Sequence, residues 1–338
     1  MTVKQLELGV AVIGLGVGEE HVRAYLSSGH CQLRWLYDLD PAKAERLIGE
    51  LGTGSTATSF EEIIQDPSVQ VVSIASYDGD HFGQIIPALK AGKHLFVEKP
   101  LCRSIRELRA IKKFWQLHGH PQLTSNLVLR AAPLYRLVKR AIETGELGEI
   151  YAFDGDYLYG RVYKITEGWR KEVEDYSVMQ GGGVHLVDLM LWLTRQRPIS
   201  VSAVGNRICT DGTDFRYDDY VSATFQFASG LISRITANFG CMHRHQHVVR
   251  LFGTKGTFIY DDQGARLHTS RDPSLPVTLL DVPALPASKG ELIPDFVSKV
   301  LKGEDARAEA QHEFDVISAC VAVDQALRTL HSVNIEYV

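Results

Sequence analysis

Order along the first 120 residues leaves few folds open to this chain. Leu8 to Ile13 is an unbroken apolar run that empties into Gly14-Leu15-Gly16-Val17-Gly18, after which Val22, Tyr25 and Leu26 recur at helical spacing. A second apolar segment, Gln32 to Tyr37, ends at Asp38, and Pro41 to Gly49 reads as a helix because proline suits a first turn. The beat then repeats. Phe60 to Ile64 reads as a short helix, Val69 to Ala75 as a strand, His81 to Ala91 as a helix closed by Gly92, and His94 to Val97 as a strand. Ser104 to His118 follows as an amphipathic helix with Leu108, Ile111 and Trp115 inward. Apolar strands alternating with helices specify a mostly parallel sheet covered on both faces.

At 338 residues the chain exceeds the usual single domain, so two domains are expected, divided at 122/123. The formal charge of -5 argues against a nucleic-acid partner held through phosphates. No apolar run reaches the roughly 18 residues of a membrane span, and no basic-then-apolar leader opens the sequence. Cys31, Cys102, Cys209, Cys241 and Cys320 are scattered without a Cys-x-x-Cys pair. They read as reduced thiols of a cytoplasmic protein, with neither a disulfide framework nor a zinc cluster.

The glycine turn between first strand and first helix is where a backbone can approach a pyrophosphate while the helix N-terminus offers unpaired N–H groups. Its spacing, Gly14-x-Gly16-x-Gly18, is one residue tighter than usual and leaves Glu19 beside the turn. Asp38 ends the second strand, where a carboxylate accepts from an adenosine ribose and repels a 2′-phosphate. NAD is therefore expected over NADP, with Arg34 weakening the preference only slightly. A plain strand-to-helix turn without a ligand is the bland alternative.

Beyond Ile74 the sequence resembles the Gfo/Idh/MocA oxidoreductases, the family of glucose–fructose oxidoreductase and inositol dehydrogenase. The stretches that carry the resemblance are Ile74-Ala-Ser-Tyr-Asp-Gly-Asp-His81, Ala91 to Leu101 with its Glu98-Lys99-Pro100, and Asn126-Leu-Val-Leu-Arg130 with Pro133. Gly145 to Ile150, Gly181-Gly-Gly-Val-His185 with Asp188 and Trp192, and Leu251 to Thr257 continue it in order. The resemblance implies a Rossmann dinucleotide-binding domain followed by an α/β domain on a large, open, mostly antiparallel sheet. In relatives a second subunit covers that sheet, which implies a homodimer or homotetramer. Independently, Ile150–Tyr157, Val221–Phe227 and Leu231–Ala237 alternate as strands, and Val184–Leu193 reads as a helix.

By that resemblance Lys99 faces the hydroxyl or carbonyl that reacts beside the nicotinamide, where an ammonium stabilises an alkoxide or exchanges the proton. Glu98 then orients Lys99 or closes onto the nicotinamide side, and Ser76 and His81 lie near the cofactor. His185 is the second catalytic candidate, with a helix-cap role as its alternative. The family usually presents an acid one turn earlier, and here Gly181 stands in that place, so proton transfer rests on Lys99 and His185 or borrows Asp175, Tyr176 or Gln180. Asn126 and Arg130, placed at the start of the second domain, and Tyr157, Trp169 and Arg170 are the substrate-binding candidates, since rings and a guanidinium suit a sugar. His243, His245 and His247 alternate on an expected strand and read as solvated or substrate-facing, with no metal.

The leading expectation is hydride transfer between a nicotinamide and a secondary alcohol or ketone of a sugar, polyol or sugar derivative, with Lys99 and His185 serving one nicotinamide face. An oxidation–elimination–reduction enzyme with tightly held NAD, and a non-catalytic dinucleotide sensor, are the alternatives.

Overall fold

The computed structural model describes residues 7–338. The chain divides into two compact units. The first runs to Val128 and also takes in Pro286–Phe314 and Val338; the second comprises Leu129–Leu285 and Asp315–Tyr337. This differs from a contiguous cut at 122/123, because a late helix, Ile293–Lys302, completes the core of the first unit. Nothing local in its sequence marks it as belonging to a core laid down 250 residues earlier.

In the first unit the elements are β1 (Leu8–Ile13), α1 (Gly18–Ser27), β2 (Cys31–Tyr37), α2 (Pro41–Leu51), β3 (Ser55–Thr56), α3 (Phe60–Gln65), β4 (Val71–Ile74), α4 (His81–Lys90), β5 (His94–Val97), α5 (Ile105–Leu117) and β6 (Leu123–Ser125). The sheet order is β3-β2-β1-β4-β5-β6, with every pairing parallel. All of β1 is buried, as a central strand covered on both faces must be. Capping chemistry sets the helix starts. Asp40 accepts from the Ala42 N–H with Pro41 in the first turn of α2, and Ser104 accepts from the Glu107 N–H while Glu107 reaches back to the Arg103 N–H. Phe96 of β5 meets Phe296 of the late helix edge-on, ring centroids 5.5 Å apart. The two-residue β3 and three-residue β6 are too short to leave an alternating pattern in the sequence.

The second unit carries α6 (Pro133–Glu143), β7 (Ile150–Leu158), α7 (Tyr163–Thr166), α8 (Val184–Thr194), β8 (Pro198–Asn206), β9 (Tyr220–Phe227), β10 (Ile232–Asn238), β11 (Gln246–Gly253), β12 (Thr257–Asp261), β13 (Gly264–His268), β14 (Thr278–Leu280) and β15 (Val333–Asn334). Nine strands form one sheet in the order β14-β13-β12-β11-β7-β10-β9-β8-β15, antiparallel except for β10 on β7. Helix α8 is buried almost all round, from Val184 through Leu191, which fits its apolar composition on every face. Gly155 of β7 lets it come close: a Cβ there would stand 3.2 Å from Leu186 Cδ1. The opposite face of β7 is charged. Asp156 accepts from Arg234 Nη1 at 2.9 Å, Arg250 Nη1 at 3.1 Å and Thr236 Oγ1 at 2.8 Å. Two expectations are corrected here. Strand β11 begins at Gln246, so of the three alternating histidines only His247 is on a strand, and Asn126 belongs to the first unit rather than opening the second.

Candidate active site

The glycine turn does three separate jobs. Gly14 has φ +81°, and a Cβ there would lie 2.6 Å from the Ala75 carbonyl carbon, so only glycine fits the turn. Gly16 has open space where a side chain would project, leaving its backbone accessible. Gly18 starts α1 with a Cβ position 3.0 Å from Val12 Cγ1, which holds helix and strand close. The two carboxylates that follow the turn are bound to other groups. Glu19 pairs with Arg23 and Arg46, both at 2.8 Å, and Glu20 accepts from the Lys289 N–H.

Beside this turn lies a cavity of about 350 Å³ whose lining includes Gly14, Gly16, Asp38, Lys43, Ser76 and Tyr77. Asp38 Oδ2 accepts from the Leu15 N–H at 2.6 Å, and Oδ1 accepts from the Asp40 N–H at 2.9 Å and Lys43 Nζ at 3.2 Å. Burial alone would raise its pKa; the two backbone N–H groups and Lys43 outweigh that and lower it. The sequence reading missed Lys43, which follows Asp38 by five residues on α2. Ser76 donates to Gln84 Oε1 at 2.7 Å. His81 is fully buried and lies between the carbonyl oxygens of Pro100 and Ser76, at 2.8 and 3.2 Å, so it ties the loop after β4 to the loop after β5.

Lys99 follows β5 at the carboxyl end of the same sheet, and its peptide bond to Pro100 is cis. Next to it Glu98 is the hub of a buried network. Glu98 Oε1 accepts from Asn126 Nδ2 at 2.6 Å and lies 3.3 Å from His21 Nε2; His21 Nδ1 is 3.0 Å from Ser73 Oγ. Asn126 also donates to the Lys289 carbonyl at 2.8 Å. Burial pushes the Glu98 pKa up, but the His21 hydrogen bond and charge, Lys99 and Asn126 hold it down to about 2. The Asn126 amide nitrogen thus ties Glu98 to the Lys289 backbone. His21 left no signal of its own in the sequence, because it is one polar residue on the inward face of α1 and its partners are 52 to 105 residues away.

In the second unit a cluster of rings surrounds His185 at the start of α8. The Tyr157 ring is stacked at 6.4 Å from His185, and meets His245 and His247 edge-on, both at 5.2 Å. His185 and His247 are 5.8 Å apart, and Tyr159 lies 5.2 Å from His245. His243 is turned away to Asp262, at 2.9 Å, which raises its pKa. Arg130 Nε sits 3.2 Å from the fully buried Asp188, one turn beyond His185, so its guanidinium braces α8. Trp169 and Arg170 lie on a short turn with the guanidinium 4.5 Å over the indole. Of the groups expected to substitute for the acid at Gly181, Gln180 donates to Asp324 Oδ2 at 2.6 Å, and Asp175 is exposed with φ +50°. Tyr176 is buried.

Residues 8–123 match the model for the oxidoreductase family with an NAD-binding Rossmann fold, and residues 135–259 match the GFO/IDH/MocA C-terminal domain. The chain belongs to the Gfo/Idh/MocA family. As a member of it the protein is an NAD-dependent oxidoreductase, and the glycine turn fits that cofactor, with an accessible backbone beside a helix N-terminus and a cavity next to it. The scyllo-inositol 2-dehydrogenase (NAD(+)) of Bacillus subtilis is 26% identical over 298 residues, 86% of this chain and 80% of that protein. The inositol 2-dehydrogenase/D-chiro-inositol 3-dehydrogenase of Lactiplantibacillus plantarum is 26% identical over 187 residues, and the match spans about half of each, 54% of this chain and 51% of that enzyme. A levoglucosan dehydrogenase solved with NADH and levoglucosan has the same fold, with a TM-score of 0.85 at 22% identity, over 97% of this chain and 99% of that one.

Proposed function

We propose that this member of the family transfers hydride between NAD and a secondary alcohol or ketone of a cyclic, carbohydrate-like substrate. The observation that carries the reading is the placement of Lys99 at the carboxyl end of β5, in the sheet whose β1 and β2 ends build the dinucleotide cavity. Bound NAD would accept the hydride from the alcohol carbon. Lys99 takes or returns the hydroxyl proton and stabilises the alkoxide, and Glu98, fixed by His21 and Asn126, holds the ammonium in place. His185 is the second group for the substrate oxygen. Tyr157 gives a ring against which a sugar ring stacks, and Trp169 and Arg170 extend the polar and aromatic surface; Arg130 acts by bracing α8. The relatives that act on inositols and on levoglucosan support this substrate class.

The test is to follow NADH absorbance with myo-inositol, scyllo-inositol, levoglucosan and a set of aldoses and sugar acids. Turnover of at least one is expected, with NAD preferred to NADP. An inert enzyme across the panel would sink the reading. NAD that stays bound while a glycoside is cleaved, with no release of NADH, would favour the oxidation–elimination–reduction alternative.

The same proposal includes a homodimer or homotetramer built on the charged face of the nine-stranded sheet, where Asp156, Arg234 and Arg250 interlock, and a cytoplasmic location, in keeping with five free cysteines. No helix among the described residues is long and apolar enough to cross a membrane. Light scattering checks the assembly.

A further inference from the structure

Strands β8, β9 and β10 share one end of the large sheet, where Asn206 stands opposite Tyr220 and Tyr220 opposite Asn238. One cysteine follows β8 by three residues and another follows β10 by three. Cys209 lies on the short turn Ile208–Thr210 and is exposed. Cys241 is half-buried, and its thiol donates to the Asn238 carbonyl at 3.6 Å. Asp219 holds both turns. Its Oδ2 accepts from the Thr210 N–H at 2.8 Å and from the Thr210 hydroxyl at 2.9 Å, and its carbonyl accepts from the Phe239 N–H at 2.9 Å.

Gly240 is what brings the two cysteines together. A Cβ there would collide with Cys209 Cβ and lie 2.6 Å from Cys209 Sγ, so only a bare backbone lets this thiol rest against the residue that precedes Cys241. Cys241 is one Cα step, ~3.8 Å, further along. Burial, Asp219 and Cys241 together push the Cys209 thiol up. A disulfide needs Cα atoms roughly 4.4 to 6.8 Å apart, and both cysteines sit on turns that can adjust to this without breaking a strand pairing. The other thiols are placed differently: Cys102 and Cys320 are buried, and Cys31 belongs to the first unit.

We propose that Cys209 and Cys241 form an oxidative modification site, which hydrogen peroxide closes into a reversible disulfide. Peroxide reaches the exposed Cys209 first. The sulfur takes one oxygen as the O–O bond breaks, giving a sulfenic acid and one water. The Cys241 sulfur then attacks that sulfur, the S–S bond forms, and the oxygen leaves as a second water. Both thiol protons end in water, and one peroxide is reduced for each disulfide made. The raised thiol pKa of Cys209 makes the reaction slow, so that it answers to sustained oxidant. A transient bond of this kind suits a reducing compartment. The turn after β10 also carries rings of the second unit's cluster. Phe239 lies 4.8 Å from Tyr159, His245 lies 5.2 Å from Tyr157, and a Cβ on Gly160 would stand 3.4 Å from the Cys241 carbonyl oxygen. A bond at Cys241 therefore pulls on that cluster; its effect on turnover rests on the reading of the cluster as the substrate site.

The full chain is treated with hydrogen peroxide, capped with iodoacetamide and digested with trypsin without reduction, which places the two cysteines in separate peptides, 208–216 and 235–244. Mass spectrometry should find these two linked, about 2 Da lighter than their sum, and separated again by dithiothreitol. Cys31→Ser should leave the link intact, whereas Cys241→Ser should carry Cys209 on to a sulfinic acid. With whichever of myo-inositol, scyllo-inositol and levoglucosan the parent oxidises best, peroxide should lower kcat/KM about 3- to 10-fold, with the Kd for NADH unchanged. Dithiothreitol should restore the rate, and Cys209→Ser should be insensitive to the treatment. Absence of the linked pair, or a link between two copies seen as a doubled mass on a non-reducing gel, overturns the modification site. A linked pair with unchanged kcat/KM overturns its effect on the ring cluster. Failure of the untreated parent on all three compounds overturns the proposed function, and the linked peptides still decide the disulfide.

Discussion

The candidate cofactor site of the first unit and the candidate substrate site of the second are built by different means. In the first, backbone geometry and strand ends do most of the work: Gly14, Gly16 and Gly18 lie within five residues, and Asp38 binds the Leu15 N–H of that same turn. In the second, the backbone of residues 181–183 is bare, and side chains from Tyr157, Tyr176 and Met179 are pressed onto it. The first is specified by short-range spacing, the second by residues that meet only after folding. The comparison teaches that the glycine turn is a property of one strand–turn–helix unit, whereas the surroundings of His185 are a property of packing.

The largest effect that tests this division is at Lys99. Lys99→Met should lower kcat by about 10³-fold, with the NADH Kd little changed, in stopped-flow and fluorescence titrations. If NADH affinity fell in parallel, Lys99 would belong to the cofactor site and the division would be drawn in the wrong place.

Glu98→Gln comes next, because it leaves the buried His21 beside a neutral amide. A loss of about 3 kcal/mol is expected in urea unfolding. The sign of its pH dependence follows from a folded pKa of about 2 against an ordinary 4.5. The stabilisation from Glu98 is complete above 4.5 and is lost as the pH falls through about 2, so parent and variant should converge in stability on the acid side. Constant separation between them down to pH 2 would remove the buried carboxylate from the account.

Gly182→Ala sharpens the other side of the comparison. The methyl group would overlap the Tyr157 ring, at a cost of about 2 kcal/mol, and raise KM for the substrate with NADH binding intact. An NADH defect in this variant would contradict the assignment of this packing to the candidate substrate site alone.

The smallest effect concerns cofactor choice. Asp38→Ser removes the carboxylate that repels a 2′-phosphate and frees Lys43, now 3.2 Å from Asp38 Oδ1, to pair with one. The preference for NAD over NADP should weaken by about tenfold, read from the ratio of kcat/KM values. No change would mean that Lys43 is not directed at the ribose.

Much of this was legible along the chain. The starts of α2 and α5 and the inward row Leu108, Ile111, Trp115 follow from caps and periodicity, which are local. Lys99 and His185 stood out because each sits in a dense, ordered run of matching residues. His21 did not, since a lone histidine in an amphipathic helix has no pattern until Ser73, Glu98 and Asn126 are brought to it. The histidines 243 and 245 mimicked a strand by alternation alone, and the turn that carries them depends on contacts such as His243 with Asp262.

By itself, the order of residues determined the parallel first sheet, the glycine turn with Asp38 and the lysine after β5, because each depends on spacing within a few turns of chain. Tertiary structure alone decided that residues 286–314 complete the first core, that Glu98 is held by His21 and Asn126, and that a tyrosine oxygen fills the space at Gly181. Those outcomes depend on volume and on polar groups finding partners far away in the sequence, and neither quantity exists until the chain has closed on itself.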